Sequence, residues 1–116
     1  MKEFPNFVRN PKNRISTASQ FTEDVEGYVF DGADGSQAAL WSARADRASA
    51  EHAHDFDEWV FVLEGEFVAI VGGVRTRLSV GEELMIPRGA VQSMEVTAGT
   101  RTLHVFGGKR AKRDGE

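Results

Sequence analysis

The sequence predicts an all-β domain, a sandwich or barrel of short strands preceded by an extended arm. Apolar or alternating runs of strand length recur after residue 20, and they are rich in β-branched and aromatic residues. Turn sequences separate these runs, and 12 glycines among 116 residues suit a fold with many tight hairpins. No segment after residue 20 keeps a helical period of apolar residues over three turns. Regular short strands with turns between them indicate the all-β class.

The elements follow in order along the chain. Residues 1–20 contain Pro5 and Pro11 and little periodicity, which predicts an arm lying over the domain or over a partner subunit. Residues 21–108 form the predicted barrel, and the basic run KRAKR at 109–113 predicts a solvated, frayed tail over 109–116. The predicted strands are YVF at 28–30, AALWSA at 38–43, WVFVL at 59–63, FVAIV at 67–71, ELMIP at 83–87 and TLHVF at 102–106. The predicted turns are DGADG at 31–35, EGE at 64–66, VGG at 71–73, VGEE at 80–83 and PRG at 87–89.

Composition excludes several classes of function. The chain is 41% hydrophobic and 28% charged, as in a soluble globular protein, and no apolar run reaches the roughly 18 residues of a membrane span. The amino terminus has no secretory pattern, so we expect a cytoplasmic protein with no membrane partner. A formal charge of −4 argues against nucleic acid as the main partner. The absence of cysteine excludes thiolate chemistry, so any metal ion must bind nitrogen and oxygen ligands.

The stretch HAHDFDE at 52–58 is the strongest candidate site. If it is extended, His52, His54 and Glu58 share one parity and leave the same face of a sheet. Converging nitrogen and oxygen ligands suit a divalent transition metal. The alternative is a polar, solvated turn at a strand edge. A helical interpretation, with His54 and Glu58 spaced i, i+4, is disfavoured by the β-branched run and Gly65 that follow.

Two stretches resemble the motifs of the cupin family. HAHDFDE followed by six residues and Gly65 resembles the first cupin motif, with Asp46 in place of its leading glycine. GEELMIPRGAVQ at 81–92 is similar to the second motif, which continues to Val96 where the family has asparagine. The chain is therefore identified as a small single-domain cupin of the RmlC-like type. This resemblance implies a double-stranded β-helix, or jelly-roll barrel, over nearly the whole chain after residue 20.

The resemblance also implies a metal site. His52, His54 and Glu58 correspond to ligands of the first motif, and Gln92 stands where the second motif has its histidine. A glutamine amide oxygen is neutral and binds late transition metals more weakly than imidazole. The expected cofactor is one divalent transition-metal ion, Fe, Mn, Ni or Zn.

His104 lies in the predicted strand TLHVF and has two interpretations. We favour a histidine at the edge of the core, satisfied by one hydrogen bond. Alternatively it points into the same cavity, as a replacement ligand or as a general acid or base. It is the one candidate for a catalytic residue.

Two functions fit these residues. One is a metal-dependent enzyme, such as a dioxygenase or an isomerase, acting on a small oxygen-rich substrate. The other is a non-catalytic small-molecule-binding protein. The arm and the apolar strand faces also predict a homodimer. Four arginines in strand-like segments are candidates for holding a substrate carboxylate, although exposure is the default for each of them. They are Arg44, Arg75, Arg77 and Arg101.

Overall fold

A computed structural model of the chain describes residues 3–116. Over these residues the strands form two antiparallel sheets, so the predicted all-β class is confirmed. The five-stranded sheet has the order β1-β2-β9-β4-β7, and the four-stranded sheet has the order β3-β8-β5-β6. The strands are β1 (Val25–Asp31), β2 (Gln37–Ala43), β3 (Arg47–Ala48), β4 (Glu58–Glu64), β5 (Phe67–Val71), β6 (Val74–Leu78), β7 (Glu83–Ile86), β8 (Gln92–Val96) and β9 (Arg101–Phe106).

The main core lies between the two sheets, because alternate residues of the strands point inward from each of them. In β4, Val60 and Val62 are fully buried, whereas the intervening Phe61 is only partly covered. Side chains of both sheets interdigitate there as in other two-sheet folds. The buried residues of this apolar core are Ala43, Val60, Val62, Phe67, Ala69, Leu78, Ile86 and Val96.

The sequence prediction missed three strands. β3 has two residues, while β6 (VRTRL) and β8 (QSMEV) carry too many polar residues to stand out as apolar runs. Their partner β5 supplies the apolar surface, since it pairs with β6 on one side and with β8 on the other. The helices within residues 3–116 are two short 3₁₀ turns, Pro11–Asn13 and Thr17–Ser19. No helix in this part of the chain is long and apolar enough to cross a membrane.

The amino-terminal arm lies over its own domain. Phe4 and Val8 are buried against Tyr28 of β1, and Ile15 is buried beside Val29. The Ile15 amide donates a hydrogen bond of 2.8 Å to the carbonyl oxygen of Gly27. Apolar anchors at both ends therefore fix the arm on the outer edge of the five-stranded sheet.

The carboxy-terminal tail differs from the prediction of a solvated, frayed segment. Ala111 is fully buried, and Gln37 of β2 holds the backbone around it. The Gln37 amide oxygen accepts from the Arg110 and Ala111 amides at 2.8 Å each, and its nitrogen donates to the Ala111 carbonyl oxygen at 3.1 Å. Arg113 adds an ion pair to Asp31 at 2.7 Å. Basic residues alone suggested solvation, but the small Ala111 lets the tail pack closely against β2.

Candidate functional site

A cavity of about 70 Å³ penetrates one end of the barrel. Its wall contains side chains of both sheets and of the segment between the arm and β1. A water molecule needs roughly 10–15 Å³ on this measure, so the space admits a few small-molecule atoms. All five predicted site residues line it: His52, His54, Glu58, Gln92 and His104.

The backbone brings the motif residues together without a regular strand over 52–58. His52 forms an isolated bridge with Gln92, in which each amide donates to the other residue's carbonyl oxygen at 2.8–2.9 Å. The chain then leaves the sheet, and the His54 carbonyl oxygen accepts from the Gly89 amide at 2.9 Å. Glu58 is the first residue of β4. The extended geometry assumed from the sequence therefore holds only at the two ends, yet all three side chains line the cavity.

His54 and Glu58 face each other through two buried atoms that lack hydrogen bonds. The His54 Nε2 and Glu58 Oε1 atoms lie 3.6 Å apart, and only 9% and 5% of the two side chains are exposed. Neither atom has a hydrogen-bond partner within the described chain. Buried polar atoms are nearly always paired, because an unpaired one loses its hydration without compensation. These two atoms are therefore positioned for a group that binds between or beside them.

His52 is oriented by the backbone. Its Nδ1 donates to the carbonyl oxygen of Ala50 at 3.1 Å, so Nε2 keeps its lone pair. The ring stacks on Phe21 with 4.0 Å between centroids and lies 4.8 Å from the His54 ring. Burial lowers the pKa of His52, and it lowers the pKa of His54 to about 4. Both imidazoles are consequently neutral at physiological pH, the state that binds a metal ion.

His104 makes two hydrogen bonds inside the cavity wall. Its Nδ1 lies 2.7 Å from Glu58 Oε2 and its Nε2 lies 3.0 Å from Thr102 Oγ1. Because an ionised carboxylate only accepts, we assign the proton to Nδ1, and Nε2 then accepts from the threonine hydroxyl. His104 is thus a buried histidine, as the favoured sequence interpretation has it, but it makes two hydrogen bonds rather than one. It also lines the cavity, as the alternative interpretation expects.

Glu58 remains ionised despite its burial. Burial raises the pKa of a carboxyl group, but the hydrogen bond and charge of His104, the nearby His54 and the Gln92 amide together outweigh this effect. The net result is a pKa below the usual glutamate value. Glu58 thus presents one oxygen to His104 and one unpaired oxygen to the cavity.

Sequence reasoning missed several residues at the cavity, among them Phe21, Trp41, Thr102 and Arg110. Trp41 stands in the predicted strand AALWSA, and its ring meets the His104 ring edge to face with 5.0 Å between centroids. Arg110 belongs to the tail that was expected to be solvated. No local pattern marks it, because its position depends on the distant contact of Gln37 with the tail. None of the four predicted arginine candidates lines this cavity.

The fold and cavity define a small two-sheet β-barrel with a polar pocket at one end. The family model of the cupin domain matches residues 40–108, more than half of the chain. The chain therefore belongs to the cupin family. A comparison with curated protein sequences gave no match.

Several solved structures are similar to this fold. An RmlC-like cupin from Shewanella frigidimarina is 18% identical, with a TM-score of 0.72 over 85% of this chain and 86% of that one. KdgF from Halomonas sp. is 15% identical, with a TM-score of 0.66 over 86% and 94%. The polyketide cyclase RemF from Streptomyces resistomycificus is 19% identical, with a TM-score of 0.70 over 98% and 85%. At these identities the likeness concerns the fold alone.

Proposed function

We propose that the chain is a metal-dependent enzyme in which His52, His54, Glu58 and Gln92 hold a divalent transition-metal ion. The observation that carries this proposal is the buried pair of His54 Nε2 and Glu58 Oε1, which lack hydrogen bonds and lie 3.6 Å apart. A cation beside these two atoms would supply the missing interaction for both. Without one, the structure buries two polar atoms at a net cost.

The donor set fits such an ion in its chemistry. Two neutral imidazoles, a carboxylate and an amide oxygen match the ligand preferences of Fe, Mn, Ni and Zn. Within residues 3–116, no three histidine or acidic side chains already form a metal-binding cluster. The proposed set starts from the His54–Glu58 pair, and His52 Nε2 and the buried Gln92 amide would have to close on the ion as it binds. A bound ion of this kind supplies Lewis acidity, which stabilises negative charge on a substrate oxygen.

The protein's own groups would act on a small oxygen-rich substrate in the cavity. His104 is held by Glu58 through Nδ1, so its Nε2 can exchange the Thr102 hydroxyl for a substrate proton. The Glu58 carboxylate stabilises the imidazolium that forms. This pair supplies a general base inside the cavity, whereas Asp55 and Asp57 of the same motif are exposed. The proposed reactions are those that begin with proton removal, such as enolisation and isomerisation.

Metal content of the purified chain, measured by plasma mass spectrometry, tests the proposal. We expect about one divalent ion per chain in the wild type and little in a His52→Ala, His54→Ala double variant. Asp55→Ala is the matched control, because this side chain is 85% exposed on the same turn, and it should keep the ion. A wild type that binds none of Fe, Mn, Ni and Zn after incubation would refute the metal site.

A non-catalytic small-molecule-binding cupin is the second candidate. Gln92 favours it, because a neutral amide in place of an imidazole weakens the hold on a catalytic ion. A binder would show ligand-dependent thermal stabilisation with no product formed, of a size set by the ligand concentration relative to the Kd. An enzyme would convert the ligand, and His104→Gln would slow the conversion while leaving the metal content unchanged.

A further inference from the structure

We propose that Arg110 is the anion-binding subsite of this cavity and that the ligand is a small carboxylate carrying a second oxygen group. The carboxylate would bind the guanidinium, and the second oxygen would point toward His54 and Glu58. The inference rests on the proposed function for the role of these two residues, while the anion subsite itself stands on the environment of Arg110.

Arg110 is a half-buried cation without an ion-pair partner among residues 3–116, and the charge of Glu58 acts on it only from beyond ion-pair distance. Its guanidinium lies 4.7 Å from the centre of the Phe21 ring and 5.4 Å from that of Trp41. The one hydrogen bond that it donates among residues 3–116 goes to the neutral carbonyl oxygen of Ser19. No carboxylate of the described chain pairs with it. Burial lowers its pKa, yet an arginine side chain remains charged in proteins.

The four arginines suggested by the sequence show what Arg110 lacks. Each has a carboxylate partner within 3.3 Å, and none lines the cavity. Their partners are Glu26 for Arg44, Glu95 for Arg75, Glu66 for Arg77 and Glu64 for Arg101. The tail residue Arg113 likewise pairs with Asp31. Arg110 differs from these arginines in two ways. It has no ion-pair partner within the described residues, and it lines the cavity.

The two aromatic rings beside Arg110 also contact histidines of the cavity. Phe21 stacks on His52 with 4.0 Å between centroids, and Trp41 contacts His104 at 5.0 Å. The Phe21 ring therefore lies between the guanidinium and His52, and the Trp41 ring lies between the guanidinium and His104. A planar guanidinium held against rings is preorganised for two parallel hydrogen bonds to a carboxylate.

The space around Arg110 sets the size of the ligand. The inner cavity of about 70 Å³ admits only a few heavy atoms. A wider depression of about 520 Å³ adjoins it and shares the walls formed by Phe21, His54 and Arg110. A small acid fits inside with its carboxylate at Arg110, and any longer substituent extends into the outer depression.

Calorimetric titration of the full chain, before and after metal loading, tests this subsite. The probes are lactate and pyruvate, with lactamide and pyruvamide as neutral counterparts of the same shape. We expect the acids to bind at least about tenfold more tightly than the amides, and Arg110→Met to lose this preference. Arg110→Lys keeps the charge but not the planar pair of N–H donors, so it should retain part of the preference for acids. Arg77→Gln is the control that removes one charge from an exposed position, and it should bind as the wild type does.

The outcomes separate this inference from the proposed function. Metal content and thermal stability of Arg110→Met, measured in parallel, show whether the barrel and its metal site are intact. An acid preference that depends on Arg110 in a chain that binds no metal would support the subsite and refute the metal proposal. Equal binding of acids and amides, an unchanged preference in Arg110→Met, or no binding of either acid would overturn the subsite, whatever the metal content.

Discussion

The interior of this barrel has two regions of opposite character built on the same strands. Strands β4 and β8 begin with Glu58 and Gln92 in the polar pocket and continue with Val60, Val62 and Val96 into the apolar core. The polar pocket is the group His52, His54, Glu58, Gln92, Thr102 and His104, and the cavity that it faces is closed on the core side by Ala43, Phe67 and Val96. Inward-facing polar residues cost stability unless they are paired, whereas the apolar core gains from each buried side chain. Burial in the core therefore stabilises the fold. The polar residues of the pocket do not, so we look to function for the reason they are there.

The largest effect tests the apolar core. Leu78 on β6 is 4% exposed, and Leu78→Ala should lower the free energy of unfolding by about 3 kcal/mol through lost burial and a cavity. Urea denaturation measures this change. Val74→Ala on the same strand is the control, because Val74 is 66% exposed and its truncation should change stability by less than about 0.5 kcal/mol. Metal content of folded Leu78→Ala should match that of the wild type. A loss of metal in Leu78→Ala would show that the metal site depends on the packing of the apolar core.

A smaller effect tests the polar pocket. His104→Leu removes the donor to Glu58 and leaves a buried carboxylate oxygen unpaired, so stability should fall by about 2 kcal/mol. His104→Gln should recover part of this loss, since an amide can donate to the same oxygen. Urea denaturation of the metal-free variants measures both. If His104→Leu were as stable as the wild type, the pocket would behave as ordinary core.

The fold was largely predictable because its determinants are local. Alternating apolar residues and glycine turns mark most strands, and the turn EGE at 64–66 shows why glycine is needed. Gly65 has a φ of +80°, and a Cβ there would lie 2.3 Å from Thr100 Oγ1. Strands β6 and β8 were missed because their stability depends on β5, a partner that local periodicity does not show.

The candidate site was predictable only in part. The spacing of His52, His54 and Glu58 indicated one shared face, and the structure brings these side chains to one cavity. The second hydrogen bond of His104 depends on Thr102, and the position of Arg110 depends on Gln37, 73 residues earlier. Contacts between distant segments leave no periodic signal. Sequence alone therefore identified the candidate ligands but not the groups that surround them.

The pH dependence of the metal-free protein gives a still smaller effect in the same region. Unfolded His54 gains a proton near the ordinary histidine pKa of 6.5, but burial lowers the pKa of His54 in the folded state to about 4. Below about pH 6.5 the unfolded state therefore binds more protons, and stability falls as the pH is lowered toward 4. The pKa shifts of His52 and Glu58 act in the same direction.

We expect a loss of about 1–2 kcal/mol between about pH 7 and about pH 4.5, less than the full shift of His54 implies, because the loss is complete only below its folded pKa of about 4. Urea denaturation of chelator-treated protein at the two pH values measures it. His54→Gln cannot titrate and should show a shallower dependence. An equal slope in this variant would assign the effect to other groups.

The smallest expected effect concerns Thr102, where the two regions meet. Its hydroxyl donates to His104 Nε2 at 3.0 Å, and it lies opposite Val62 of the apolar core in the β4–β9 register. Thr102→Val keeps the shape and removes the donor, leaving His104 Nε2 unpaired, so stability should fall by about 1 kcal/mol. Thr76→Val is the control, because the Thr76 side chain makes no hydrogen bond within the described residues. If Thr102→Val were instead stabilising, Nε2 would have no need of a partner, and Thr102 would belong to the apolar core rather than to the polar pocket.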